Sequence, residues 1–271
     1  MVETSTVARE KAAERADLDE TVAGAVDRIV TEGAPRLHRA WPDLLATGVV
    51  AGIEVTFGLV ALLLVTEATG SVLLGALAFS FGFVALLLGR SELFTEGFLV
   101  PVTVAAAGRA RPRDVARFWF GSAAGNLLGG FVLTWVAVQA LEALHERGVA
   151  MATVYVDHGF TREAFCLAVL AGAGITMMTR MHNGTDSMPV RVFVSVFAAF
   201  LLTGLGLVHV ILDTLLIFFA LHTGGAPFGY GDLGGFFVFA LLGNVVGGVG
   251  LVTLLRLVRD RELLAAHRRA A

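Results

Sequence analysis

Gly89-Arg90-Ser91-Glu92-Leu93-Phe94-Thr95-Glu96-Gly97 interrupts an apolar run that extends from Ser71 to Leu88 and resumes through Phe98, Leu99, Val100 and Pro101. Charged, hydroxyl and glycine residues in the middle of a membrane-length segment break a helix at depth, where lipid offers no partner to the freed N–H and C=O groups. Such backbone persists only where protein shields it or where it lines a wet cavity. A second apolar run, residues 192–221, is interrupted by Thr203, Gly204 and Gly206, then by His209 and Asp213. Two interrupted segments point to a pathway across a membrane.

The composition agrees. Of 271 residues, 56% are hydrophobic and 16% charged, whereas soluble domains carry about 25% charged residues. A crossing needs roughly 20 mostly apolar residues, and six stretches qualify: 44–65, 71–107, 118–140, 164–179, 192–221 and 234–255. The expected fold is therefore an all-α membrane protein with six transmembrane helices, of which helices 2 and 5 are broken. An N-terminal tail (1–41) and a C-terminal tail (259–271) flank a membrane domain (42–258). The loops on the side of the termini hold Arg109, Arg111, Arg113, Arg117, Arg180 and Arg191. The segment after the last span adds Arg256, Arg259, Arg261, Arg268 and Arg269, while the opposite loops hold only Arg147 and Arg162. Basic residues gather on the cytoplasmic side, so both termini are expected there, in a multi-pass inner-membrane protein. The first 40 residues mix acids and bases (Glu10, Lys11, Glu14, Arg15, Asp17, Asp19, Glu20) without an apolar run, which excludes a cleavable signal. Trp41 and Trp119 fit an interfacial aromatic belt. A net charge of −3 argues against nucleic acid as a partner, and the single cysteine, Cys166, excludes disulfides and thiolate metal cages.

Gly125-Asn126-Leu127-Leu128-Gly129-Gly130 recurs as Gly243-Asn244-Val245-Val246-Gly247-Gly248, 118 residues later. The same offset carries Ser91 onto His209 and Thr95 onto Asp213. Three spans followed by three cross the membrane in opposite senses, so the halves form an inverted repeat with a central site. Asn126 and Asn244 read most simply as interhelical hydrogen-bonding groups among close-packed glycines.

His209 is the sharpest functional candidate, because ionisable side chains at membrane depth are rare and face cavities. A free imidazole holds or releases a proton near neutral pH. Asp213, four residues on, would share its face of a continuous helix and stabilise the imidazolium. Thr95 offers a hydroxyl to a solute or to His209. Glu92 is placed to cap freed N–H groups, as acids do at helix starts. Leu93 and Phe94 are either constriction residues that gate by dewetting or ordinary packing. Glu54, inside span 1, is either an interhelical acceptor or functional. The remaining histidines show no ligand spacing, so neither a metal nor a cofactor is expected.

The Ser91-Glu92-Leu93-Phe94-Thr95 break, the histidine of span 5, the paired Gly-Asn-x-x-Gly-Gly motifs and the six-span repeat together resemble the formate/nitrite transporter family, over about residues 42–258. The resemblance implies an aquaporin-like protomer, five of which form a ring with one pore each. It implies passage of small monovalent weak-acid anions such as formate, nitrite or hydrosulfide, with Thr95 and His209 as the polar centre between two apolar constrictions and Leu93 near the cytoplasmic one. The chain departs as a divergent branch. Leu167 follows Cys166 where the family has Asn, Val208 precedes the histidine where it has Glu, and Asp213 replaces an Asn. The only lysine is Lys11, and Glu96 adds negative charge beside Thr95.

The function expected on these grounds is a channel or transporter in which dry constrictions exclude permanent ions and His209 either lends a proton to the entering anion, removing most of its desolvation cost, or hydrogen-bonds it. Asp213, Glu92 and Glu96 favour a second possibility, a pore for a small neutral solute or a cation. A third, from another class, is an intramembrane serine hydrolase using Ser91 and His209. Serine at a break is equally explained as a cap.

Overall fold

The computed structural model describes residues 22–270. The acids and bases from Glu10 to Glu20, Lys11 among them, lie outside the described residues. Every regular element is helical. Helix α1 spans 22–37. It is followed by α2 (Trp41–Thr69), α3 (Val72–Gly89), a short 3-10 turn (Phe94–Phe98), α4 (Val100–Ala106), α5 (Pro112–Ala140), α6 (His145–Asp157) and α7 (Arg162–Asn183). Then come α8 (Met188–Gly204), α9 (Val210–His222), α10 (Tyr230–Val245), α11 (Leu255–Arg259) and α12 (Arg261–Arg269). Residues Val246–Leu254, between α10 and α11, are wound as a π-helix within one continuous span.

Five of the described helices are long and apolar enough to cross a membrane: Trp41–Thr69, Val72–Gly89, Pro112–Ala140, Arg162–Asn183 and Tyr230–Arg259. The stretch read as the fifth of six spans, expected to be interrupted, comprises Met188–Gly204 and Val210–His222, each shorter than a full crossing. The long helices begin and end where local chemistry dictates. Pro42 and Pro112 sit in the first turns of α2 and α5, where a missing N–H costs nothing. Ser71 and Thr161 cap α3 and α7 by accepting from Leu74 N and Ala164 N. Helix α2 stops at Gly70, whose φ of +69° suits only a residue without Cβ strain. Helix α3 stops at Arg90, the one described non-glycine residue with positive φ.

Glycine lets the helices approach at backbone distance. A Cβ on Gly52 would collide with the main-chain carbonyl of Asn126, one on Gly129 with that of Val49, and one on Gly58 would lie 2.8 Å from Phe79 O. These contacts bind α2 to α5 and α3. On the other side Gly172 and Gly247 bring α7 against the last span in the same way. Large apolar side chains such as Phe57, Leu77, Phe81, Phe120, Phe193 and Leu242 face outward, as lipid requires.

Both flanking segments pack on the rest of the protein. In the N-terminal one, α1 inserts Ile29 and Leu37 against Leu99, Val100 and Val104 of the α4 region. The C-terminal segment is a helix, α12, whose Leu264 packs with Val26 and Val30 of α1 and with Ala107. Arg28 reaches Asn183 O at 3.0 Å and Asp186 at 2.8 Å, so α1 bridges the loops after α4 and α7 at the arginine-rich end. At the opposite end Arg147, half-buried, meets the exposed Glu67 at 2.8 Å. Exposed pairs contribute at most about 1 kcal/mol. Arg147→Ala is accordingly expected to leave the melting temperature of the detergent-purified protein within roughly 3 °C of the parent, and a larger fall would mean that this end relies on the pair.

Candidate functional site

The backbone leaves helical geometry at residues 90–93 and again at 205–209, and the two departures meet in the protein interior. Each is pinned by one buried amide. Asn126 of α5 accepts from Phe94 N (2.9 Å) and donates to Glu92 O (2.9 Å) and Gly48 O (2.9 Å). Asn244 of α10 accepts from Val210 N (3.0 Å) and donates to Val208 O (2.8 Å) and Ala168 O (2.8 Å). Groups that the helix breaks leave orphaned thus find partners within protein, as membrane depth demands. The partners lie 32 residues before Asn126 at Phe94 but 34 before Asn244 at Val210. The correspondence within the breaks is consequently shifted by two from the expected offset: Leu93, not Ser91, takes the place equivalent to His209.

His209 ends the second departure as the N-cap of α9, in extended conformation, and its Nδ1 accepts from Leu212 N at 3.0 Å. A nitrogen that accepts a backbone N–H carries no proton. The hydrogen bonding therefore assigns the Nε2–H tautomer, and Nε2 donates to Thr95 Oγ1 at 2.9 Å. Thr95 lies in the 3-10 turn and is fully buried; His209 is 1% exposed. Leu93, Phe94, Phe98, Leu207 and Val208 belong to the same continuous apolar cluster, so the pair is sealed in this conformation. Cavities of about 530, 350 and 560 Å³ lie between α1 and α12, between α6 and α10, and along α1 near Arg109; none of these three borders His209.

Three expected roles are corrected. Asp213 does not face the imidazole. Its Oδ2 accepts from the main-chain N of His209 at 2.7 Å, while Oδ1 is buried without a partner. The expectation assumed a continuous helix through His209, whereas α9 begins at Val210 and the spacing of a helix face does not apply across a cap. Ser91 is not beside His209 but near Glu54: a Cβ on Gly89 would lie 2.5 Å from Glu54 Oε1 and 3.2 Å from Ser91 Oγ. That placement removes the geometry a serine hydrolase needs. Glu92 caps no N–H with its side chain. Its carboxylate, 2% exposed, takes Arg36 Nε at 2.9 Å, Arg36 Nη2 at 2.5 Å and Arg39 Nη1 at 2.8 Å.

Other contacts form that the sequence did not signal. The Trp119 ring turns into the protein. Its Nε1 donates to Gly97 O at 2.7 Å, and its ring meets Phe94 and Phe98 edge-on at centroid distances of 6.4 and 5.8 Å. Thr253 of the π-helical stretch donates to Phe98 O at 2.9 Å. Main-chain carbonyls that the short turn leaves free are thus held by a tryptophan and a threonine from two other spans. A tryptophan at the start of a span reads as interfacial, and nothing in its sequence neighbourhood signals otherwise. Glu54 Oε2 is buried with no partner. Glu96, the remaining acid of the break, is half-buried next to Thr95.

The fold and this site define a multi-span helical membrane protein with a polar pair enclosed between two departures from helix. The sequence model of the formate/nitrite transporter family matches residues 23–258, and the chain belongs to that family. It is 26% identical over 181 residues to the formate channel FocA of Escherichia coli (strain K12), covering 62% of this chain and 63% of that one, so it spans less than two thirds of that relative's length. It is 23% identical over 253 residues to the inner membrane protein YfdC of the same strain, covering 90% and 80% of the two chains. Among solved structures it is similar to one described as a pentameric formate channel with formate bound, with a TM-score of 0.62, 19% identity, and 81% and 97% of the chains covered. An FNT family ion channel gives a TM-score of 0.70 at 16% identity, with 87% and 98% covered. At these identities the structural likenesses speak for the fold.

Proposed function

We propose that the protein conducts small monovalent weak acids, of the formate, nitrite or hydrosulfide kind, through a pore centred on Thr95 and His209. The two departures from helix are then the discontinuous second and fifth spans of an inverted three-plus-three repeat, aquaporin-like in plan, and the matched bonding of Asn126 and Asn244 supports that symmetry. Leu93 and Phe94 on one side and Leu207 and Val208 on the other act as dry constrictions, and the sealed pair represents a closed conformation. Similarity to a pentameric formate channel and to an inner membrane protein supports a homopentamer in the inner membrane. The termini lie at the arginine-rich, cytoplasmic end.

The observation that carries this reading is the 2.9 Å contact of Thr95 Oγ1 with His209 Nε2 where the departures meet. Because Nδ1 is engaged by Leu212 N, the ring offers Nε2–H as a hydrogen-bond donor to the anion. It does not lend a proton, since a second proton could be added only at Nδ1 and would break the cap of α9. Asparagine separates the two roles: its side-chain oxygen caps a helix N-terminus as well as any residue, but it supplies no donor at the position of Nε2. His209→Asn is expected to fold normally and to lower formate and nitrite uptake into proteoliposomes at least about tenfold, equivalent to about 1.4 kcal/mol on the barrier. Thr95→Val should act in the same direction. Flux indifferent to His209→Asn would count against this centre. Passage of glycerol or of a small cation, with none of any weak acid, would favour the alternative pore that the acids Glu54 and Glu96 suggest.

A further inference from the structure

Glu92 is held from two directions that do not depend on each other. Its main chain is fixed by Asn126 Nδ2 on Glu92 O and by a 3.4 Å bond from Glu92 N to Thr47 O. Its carboxylate is fixed separately, by three N–H groups from Arg36, in the last turn of α1, and Arg39, two residues beyond its end. The carboxylate is 2% exposed, but the guanidinium-bearing side chains are 31% and 32% exposed. The arginines therefore open to the arginine-rich end of the molecule while their forks converge on one buried carboxylate, directly before Leu93 and Phe94. Bidentate arginine is the geometry that recognises planar oxyanions. The terminal carboxylate of Glu92 has the shape and charge of a small monocarboxylate joined to the chain by two methylenes.

We infer that Arg36 and Arg39 form a receiving site for small monocarboxylates at the inner mouth, and that Glu92 is its built-in occupant, exchanged for the solute as it enters. The inference rests on the weak-acid reading of the pore and assigns to two arginines the positive charge at the entrance of a chain whose only lysine is Lys11. The negative charges of Glu96 and Glu32 also act on Arg36. These acids weaken anion binding, so the exchange is expected in the millimolar range, where a transported solute can leave again.

Truncating the occupant vacates the site without touching the main-chain bonds. For detergent-purified Glu92→Ala, sodium formate is expected to raise the melting temperature saturably by about 5 °C, the size of a ligand effect well above its dissociation constant, while equal sodium chloride does not. Glu92→Gln, whose amide still fills the place, and the triple variant Glu92→Ala, Arg36→Ala, Arg39→Ala should both be flat. No response in Glu92→Ala, an equal response to chloride, or a response that survives in the triple variant would overturn the inference. Should Glu92→Ala fail to fold, the decision passes to proteoliposomes carrying Arg36→Gln, Arg39→Gln and Glu92→Gln together. There the KM for formate should rise about fivefold, by more than any fall in maximal rate, and an unchanged KM overturns the site. Absence of weak-acid flux in the parent protein would refute the transport reading, while the formate melting series still decides the anion site.

Discussion

Asn126→Leu is expected to lower the melting temperature of the purified protein by at least roughly 6 °C and to abolish weak-acid flux. Leucine keeps the branched outline of asparagine with the polar atoms replaced by methyl groups, so the hydrogen bonding is lost and two bulkier groups take its place. Phe94 N and Glu92 O would be left without their partner in a fully buried place, and Gly48 O, already bonded within α2, would lose its second donor. Each unpaired buried group costs about 1–3 kcal/mol, giving on the order of 3 kcal/mol or more in total. For a chain of this size each kcal/mol corresponds to about 2–4 °C. Release of Phe94 also frees Thr95, the next residue, from its alignment with His209. Asn244→Leu removes the same set of bonds from Val210 N, Val208 O and Ala168 O and should match it. Thermal melting by size-exclusion chromatography checks both variants. A shift of less than about 2 °C in either would mean that the amides do not hold the departures from helix in place.

The second large effect concerns a single methyl group. Gly172→Ala would drive a Cβ into the main-chain carbonyl of Asn244 and to 2.6 Å from its Cα, on a neighbour that has no rotamer to escape into. Overpacking against side chains costs about 1–3 kcal/mol; against backbone the two spans must separate, displacing the residue that holds α9. Loss of monodisperse protein, or a fall in melting temperature beyond roughly 6 °C, is the expected result. Gly174→Ala, two residues along the same helix, provides the control. Nothing lies within 4 Å of its Cβ, and alanine is preferred over glycine in a helix by about 1 kcal/mol, so this variant should melt at or slightly above the parent temperature. Equal behaviour of the two would show that α7 and the last span do not pack at backbone distance.

The corrections share a cause. Span-forming stretches were legible because hydrophobic length reports directly on a solvent that tolerates only helices. The residues that break them stood out against the same background: Ser91 to Gly97, Thr203 to Gly206, and His209 are polar or glycine in runs that are otherwise apolar. The glycine motifs around Asn126 and Asn244 were legible as a pair because the two amides face the same geometric problem. What misled was carrying a regular spacing across a break. Helix periodicity placed Asp213 beside the imidazole, when the cap of α9 turns it onto a main-chain N–H, and the 118-residue offset of the glycine motifs set Ser91 rather than Leu93 at the level of His209.

Amino-acid order alone determined that the chain is helical and membrane-bound, where it is interrupted, and that Thr95 and His209 are polar among apolar residues. The contacts between segments distant in sequence were decided only by tertiary structure. Arg36 and Arg39 meet Glu92 across more than fifty residues, Thr253 meets Phe98 across 155, and Trp119 turns inward to Gly97. Neither burial patterns nor spacing encode such partners, because a buried charge or an orphaned carbonyl must be satisfied by whichever donor the packing brings within about 3 Å. That is settled by how the helices stack.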